Sequence, residues 1–95
     1  MVERRVLEEA IERIRRMELC FDRLQNAAAT NMAAVREDAS LNSLLRDLTR
    51  YYESGRWMGD YELDEKGLLP PDLKRGILAQ DAIYDLLERI NDVDQ

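Results

Sequence analysis

The chain has 95 residues, with 14 Lys plus Arg against 20 Asp plus Glu, no His and one Cys. That length fits a single small domain, and 45% apolar with 36% charged residues supplies a modest core and argues against a disordered acidic tail. The absence of histidine removes every Ser-His, Cys-His and His-metal constellation, and the lone Cys20 makes neither an intrachain disulfide nor a thiolate zinc site.

Met1 to Glu9 place acids in the first turns and offer no apolar run of signal-peptide length, and nowhere does the chain approach the roughly 18 apolar residues of a membrane span. The expectation is a soluble, cytoplasmic protein with no membrane association. A formal charge of -6 repels a phosphate backbone, so nucleic acid is not an expected partner. The acidity is C-terminal: residues 1–56 sum to zero and residues 57–95 carry all of the net charge.

Leu7, Ala10, Ile14, Met17, Phe21, Leu24 and Ala28 recur in steps of three and four, which predicts one helical stripe. Val6, Ile11 and Cys20 widen it, suiting burial against two neighbouring helices better than a narrow coiled-coil seam. On the outer face Glu9 with Arg13 and Glu12 with Arg16 stand at i, i+4, a spacing at which a pair contributes about 0.2–0.5 kcal/mol. The alanines at 27–29 and 33–34 keep helix propensity high, so the predicted helix runs over 2–36, a rod of about 50 Å. Thr30-Asn31 is the place where it would break early. Asp38 and Ser40 are candidate N-caps for a second helix over 40–54, with Leu41, Leu44, Leu45, Leu48, Tyr51 and Tyr52 on one side. The short connection implies an antiparallel hairpin, and Gly55 is placed to end the second helix as a left-handed cap.

All four glycines (55, 59, 67 and 76) and both prolines (70 and 71) fall in the next stretch, which shows no clear periodicity. Residues 55–78 are long for a connection. Yet Trp57, Met58, Tyr61, Leu63, Leu68, Leu69, Leu73, Ile77 and Leu78 are too apolar to remain in water without cost. The expectation is an ordered, irregular loop wrapped over one end of the hairpin. Asp64-Glu65-Lys66-Gly67 reads as a turn closed by glycine, and Pro71 to Gly76 as a short helical turn entered at proline and ended at glycine, joined by an extended Leu69-Pro70 step. A last helix over 79–91 turns Ala82, Ile83, Leu86, Leu87 and Ile90 inward, with Asp81 in its first turn, Ala79 at its N-cap and a fraying tail from Asp92 to Gln95. The fold class is therefore all-α: a long antiparallel helical hairpin plus a third C-terminal helix, with the ordered loop before it, in one domain over 1–95.

The string from Tyr51 to Glu65, followed by Gly67, Pro70, Leu73 to Leu78 and Asp81 to Leu87, resembles a bacterial family catalogued as domain of unknown function 4298. Arg13 to Glu18 with Phe21-Asp22 is similar to it as well. Ala79 stands where that family usually has serine, and Pro71 where it usually has lysine or another polar residue. The resemblance implies a fold and a marked region, and no activity.

Three groups of residues offer chemistry. Asp60, Glu62 and Asp64 alternate and are followed by Glu65; on an extended strand the first three share one side and could clamp Mg²⁺ or Ca²⁺ through oxygen. The calcium-loop pattern fails, because its glycine position holds Glu65 and its bidentate acid position Pro71. The structural alternative pairs these acids with Lys74, Arg75 or Arg56, or has them cap turns. Lys74-Arg75 beside Gly76 could hold an anion. Trp57 with Tyr51, Tyr52 and Tyr61 gathers four of the six aromatics, as an exposed recognition patch or as a plug in the core. Cys20 reads as a packing residue.

The functional expectation is a small non-enzymatic protein-binding or regulatory module with no cofactor. It would meet an unidentified protein partner or a second copy of itself through the hairpin surface and through Tyr52, Trp57, Asp60, Tyr61, Glu62, Asp64, Lys74 and Arg75. The alternative is a divalent-metal site at Asp60, Glu62 and Asp64 supporting phosphoryl or hydrolytic chemistry, with Lys74 or Arg75 holding the anion.

Overall fold

A computed structural model describes residues 3–92; the helix start expected at Val2 and the frayed end at Val93, Asp94 and Gln95 lie outside them. The described residues are all-α: α1 (Arg4–Thr30), α2 (Met32–Glu37), α3 (Ala39–Glu53), α4 (Arg56–Glu65), a 3-10 turn (Gly76–Leu78) and α5 (Gln80–Asp92). The molecule measures 45 × 22 × 20 Å along its principal axes, with α1 as its longest element. No helix among the described residues is long and apolar enough to cross a membrane.

The run expected as one helix to residue 36 is two helices. Asn31 adopts an extended conformation (φ -158°, ψ 99°), and its side chain accepts from the Ala33 backbone N–H, so it ends α1 and caps α2 at once. Asp38 repeats the device: its carboxylate accepts from the backbone of Ser40 and Leu41 and from the Ser40 hydroxyl. These bonds, the hydroxyl's foremost, hold Asp38 below the ordinary carboxylate range. Of the two candidate caps, Asp38 is the one used, and Ser40 donates to it.

α3 ends where expected. Gly55 has φ 90°, a left-handed conformation that costs glycine little, and the same residue is the N-cap of a helix the sequence did not suggest. The expected irregular loop therefore begins with ten helical residues, α4. Its end does follow the turn expected from Asp64 to Gly67: the Gly67 N–H reaches the Asp64 carbonyl and the Leu68 N–H the Leu63 carbonyl, closing the helix with glycine at φ 71°. The second expected turn is corrected. Pro71 to Leu73 form an irregular turn, and the 3-10 segment starts at Gly76 instead of stopping there. α5 begins at Gln80, where the Ala79 carbonyl accepts from Ala82 and Ile83.

The core joins the inner stripe of α1 (Ala10, Ile14, Met17, Phe21, Leu24, Ala28) to Val35, Leu48, Tyr51, Ile83, Leu86, Leu87 and Ile90. Leu7, expected in the stripe, is only half-buried and Val6 is exposed. From residues 55–78, Trp57, Leu69, Leu73, Ile77 and Leu78 are buried in the same core, while Met58 and Leu68 face solvent.

Candidate functional site

Asp60, in the second turn of α4, is 1% exposed. Arg13, from the middle of α1, donates Nε–H to its Oδ2 at 2.9 Å and Nη2–H to its Oδ1 at 2.6 Å, and the Tyr51 hydroxyl of α3 donates to Oδ2 at 2.7 Å. One buried carboxylate thus ties three helices together through a bidentate guanidinium and a phenol. Burial, and then the bond to Asp60, push the Tyr51 hydroxyl far above its ordinary value, which keeps it a neutral donor. Asp60 raises the Arg13 guanidinium further above its already high range. The i, i+4 pairs expected on α1 are not what holds its arginines: Arg13 turns away from Glu9 to Asp60, and no salt bridge joins Glu12 to Arg16 among the described residues.

The remaining chemistry-bearing residues are spread over the molecule. Asp64 pairs with Arg75, as the sequence allowed, and Arg75 also donates to the carbonyls of Pro70 and Leu73, so its guanidinium staples the turn before the 3-10 segment. Lys74 lies 3.5 Å from Asp22 with 77% of its side chain exposed, a contact of little weight. Glu62 is exposed. Trp57, 2% exposed, donates its indole N–H to the Ile77 carbonyl at 2.8 Å, stacks on Tyr61 at 5.2 Å and meets Tyr52 edge-on at 5.3 Å. It is the core plug and not an exposed patch. Because α4 is a helix, Asp60 and Asp64 share a face while Glu62 points away from it. The one-sided clamp needed an extended strand, and no group of three or more His, Cys, Asp or Glu side chains among the described residues is arranged to hold a metal ion.

Sequence reasoning missed two features. Glu18, 6% exposed, accepts from the Ile77 N–H at 2.7 Å, and a Cβ at Gly76 would sit 2.9 Å from its Oε1. A methyl at 76 would make the Glu18 carboxylate shift from its place beside the Ile77 amide. The second is a depression of about 370 Å³ between α1, α3 and the start of α4, lined by Arg13, Arg16, Arg50, Arg56, Asp47 and Ser54 over the side chains of Met17 and Tyr51. Two further depressions adjoin it. One shares Arg16, Met17 and Asp47 and includes Leu19, Cys20 and Leu44; the other shares Arg50 and Ser54 and includes Leu45 and Arg46. The depression that includes Leu19 continues the first one as a groove along α1 and α3, with an apolar floor and an arginine rim, whereas the one that includes Leu45 is lined by α3 and its cap Ser54 alone. The groove's only sequence signal is Arg50 and Arg56 flanking Ser54-Gly55, with Arg13 and Arg16 three residues apart on α1.

Cys20 is buried beside this groove, with its thiol donating to the Leu44 carbonyl at 3.2 Å. Burial pushes its pKa up to about 11. The folded value stands above the unfolded one, so the thiol's contribution to stability is intact below pH 9 and is lost as pH rises towards 11. At about pH 8 the native chain should react with a disulfide reagent at least about a hundredfold more slowly than the urea-unfolded chain; comparable rates would place Cys20 outside the core.

The chain matches the family described as Domain of unknown function (DUF4298) over residues 14–94. No curated protein and no solved structure matches it.

Proposed function

This chain belongs to the domain of unknown function 4298 family, and from that premise we propose that it is a small, non-enzymatic binding module that meets a protein partner on its α1–α3 face. In this reading α1 and α3 are the arms of an antiparallel hairpin and α5 is the third helix. The carrying observation is the contrast between two sets of charges. Asp60, Asp64 and Arg75 are spent on one another or on Arg13, Tyr51 and local carbonyls, whereas Arg16, Arg50 and Arg56 line the groove and form no salt bridge among the described residues.

The groove's composition states the partner's chemistry. Leu19, 68% exposed, stands with Met17, Cys20 and Leu44 along an apolar floor, and six arginines (13, 16, 23, 46, 50 and 56) outnumber Asp22, Asp47 and Glu53 around the three depressions. A cationic face on a chain of net charge -6 favours an acidic, amphipathic segment of another protein over a second copy of this one. Tyr52 of α3 and Trp57, Asp60 and Tyr61 of α4 serve this role indirectly, by fixing α4 against α1 and α3.

A photo-reactive phenylalanine analogue at Leu19 should crosslink a discrete partner, with the yield falling in the charge-reversed variant R16E/R50E. The same probe at Tyr84, which is 52% exposed on α5, should give none. Crosslinks from Tyr84 alone, or a Leu19 crosslink indifferent to charge reversal, would remove the α1–α3 face from the proposal.

A further inference from the structure

The geometry points to the arginine-lined depression at the head of the groove as a binding site for a phosphomonoester dianion. Resting on the binding role given to the α1–α3 face, the pocket specifies the chemical group its ligand carries. Three guanidiniums, from Arg16, Arg50 and Arg56, line it without an intrachain salt bridge among the described residues. A fourth, Arg13, is anchored through Nε and Nη2 by Asp60, and its Nη1 makes no hydrogen bond among the described residues. That anchor is what separates the site from a set of surface arginines. Arg13 is clamped by a carboxylate 1% exposed, itself clamped by the buried Tyr51 hydroxyl, so one donor edge is held in place before any ligand arrives.

The charge count selects the ligand. With Arg13 already balanced by Asp60, Arg16, Arg50 and Arg56 against Asp47 as the one acid in the lining still exceed what a single carboxylate neutralises and suit a group carrying about -1.5 to -2 at neutral pH with three acceptor oxygens. Guanidinium forks match such oxygens in pairs. Asp47 on the rim and the chain's overall charge of -6 disfavour an extended polyanion, so a compact dianion fits better than nucleic acid. The volume, about 370 Å³, exceeds that of a bare phosphate, and Met17 with the Tyr51 ring forms an apolar wall for the organic body beyond it. The same phosphate chemistry arrives either on a small molecule or on a phosphorylated side chain of the partner.

Calorimetric titration of the full chain at fixed ionic strength separates these sources. The probes are phenyl phosphate, a phosphoserine-bearing peptide, the unphosphorylated peptide, and acetate. Phenyl phosphate should bind at least about tenfold more tightly than acetate, and R50A and R56A should each weaken it by about fivefold or more while leaving the circular dichroism melt unchanged, since both side chains are exposed. Tighter binding of the phosphopeptide than of phenyl phosphate assigns the group to a modified protein, and equal binding assigns it to a small molecule. Equal affinity for acetate and phenyl phosphate, or phenyl phosphate binding untouched in R16A/R50A/R56A, overturns the site. Phosphate binding without a Leu19 crosslink keeps the pocket and removes the protein partner. A charge-dependent crosslink without phosphate binding removes the pocket and keeps the partner.

Discussion

Arg13→Ala should cost about 3–5 kcal/mol of unfolding free energy, the range for removing one partner of a buried ion pair. Against the roughly 5–15 kcal/mol that holds a small domain together, that loss brings the chain close to its unfolding threshold. The cause is what the substitution leaves behind. Asp60 is 1% exposed, and without Arg13 its charge keeps a single donor, the Tyr51 hydroxyl, in a setting too poorly hydrated to stabilise an isolated carboxylate. Removing the acid is gentler. Asp60→Asn preserves shape and an acceptor for Tyr51, and Arg13, with 19% of its side chain accessible, recovers water, so the loss should be about 1.5–3 kcal/mol, the weight of hydrogen bonds to a charged group. Replacing the whole triad by apolar residues of similar size, R13M/Y51F/D60L, should recover most of the loss, because the desolvation of two charges disappears with their attraction and no buried hydroxyl is left without an acceptor. Urea unfolding followed by circular dichroism checks all three. An Arg13→Ala variant within about 1 kcal/mol of the parent would mean that Asp60 is hydrated and the triad is not a buried unit.

This triad also shows where the sequence stops being readable. The stripe of α1 and the inner faces of α3 and α5 follow from periodicity, because an apolar side chain every three or four residues has one low-energy way to hide. The turn at Gly67 and the cap at Gly55 follow from glycine's freedom at positive φ. The break at Asn31 was marked by its residue type, though not decided by it: a short amide side chain competes with the helix for the Ala33 N–H, and the winner depends on packing. Helix α4 has no such local signature. Gly59 lowers its propensity, and its apolar residues Trp57, Met58, Tyr61 and Leu63 do not fall in one stripe, since Met58 faces solvent. What makes it helical is tertiary: Trp57 and Asp60, three apart, enter the core together. The Arg13–Asp60 pair spans 47 positions, so no spacing rule could find it. A local rule pointed Arg13 at Glu9 instead, and the buried acid won because an exposed partner offers about 0.5 kcal/mol at most.

Trp57→Ala should cost a similar amount, about 3–5 kcal/mol, the usual range for deleting a buried large aromatic, but by a different route and with a different distribution along the chain. The indole fills the junction where α4, the 3-10 turn and the end of α3 meet, with Tyr61 stacked on it and Tyr52 against its edge. Alanine leaves a cavity there and strips the Ile77 carbonyl of its donor. Trp57→Phe separates the two contributions: it keeps most of the packing and loses the hydrogen bond, so it should cost about 1–3 kcal/mol. The Ile77 amide is held from the other side by Glu18, which makes the 3-10 turn a peg gripped between α1 and α4. Losing one grip should loosen that peg before the helical core opens. Native-state hydrogen exchange of Trp57→Ala should therefore accelerate selectively in residues 68–79, by more than at Leu24 or Leu48, whose side chains are fully buried. Uniform acceleration across the chain would show that the segment has no stability of its own beyond the global fold. Unchanged exchange with a loss under about 1 kcal/mol would show that the indole does not hold it down.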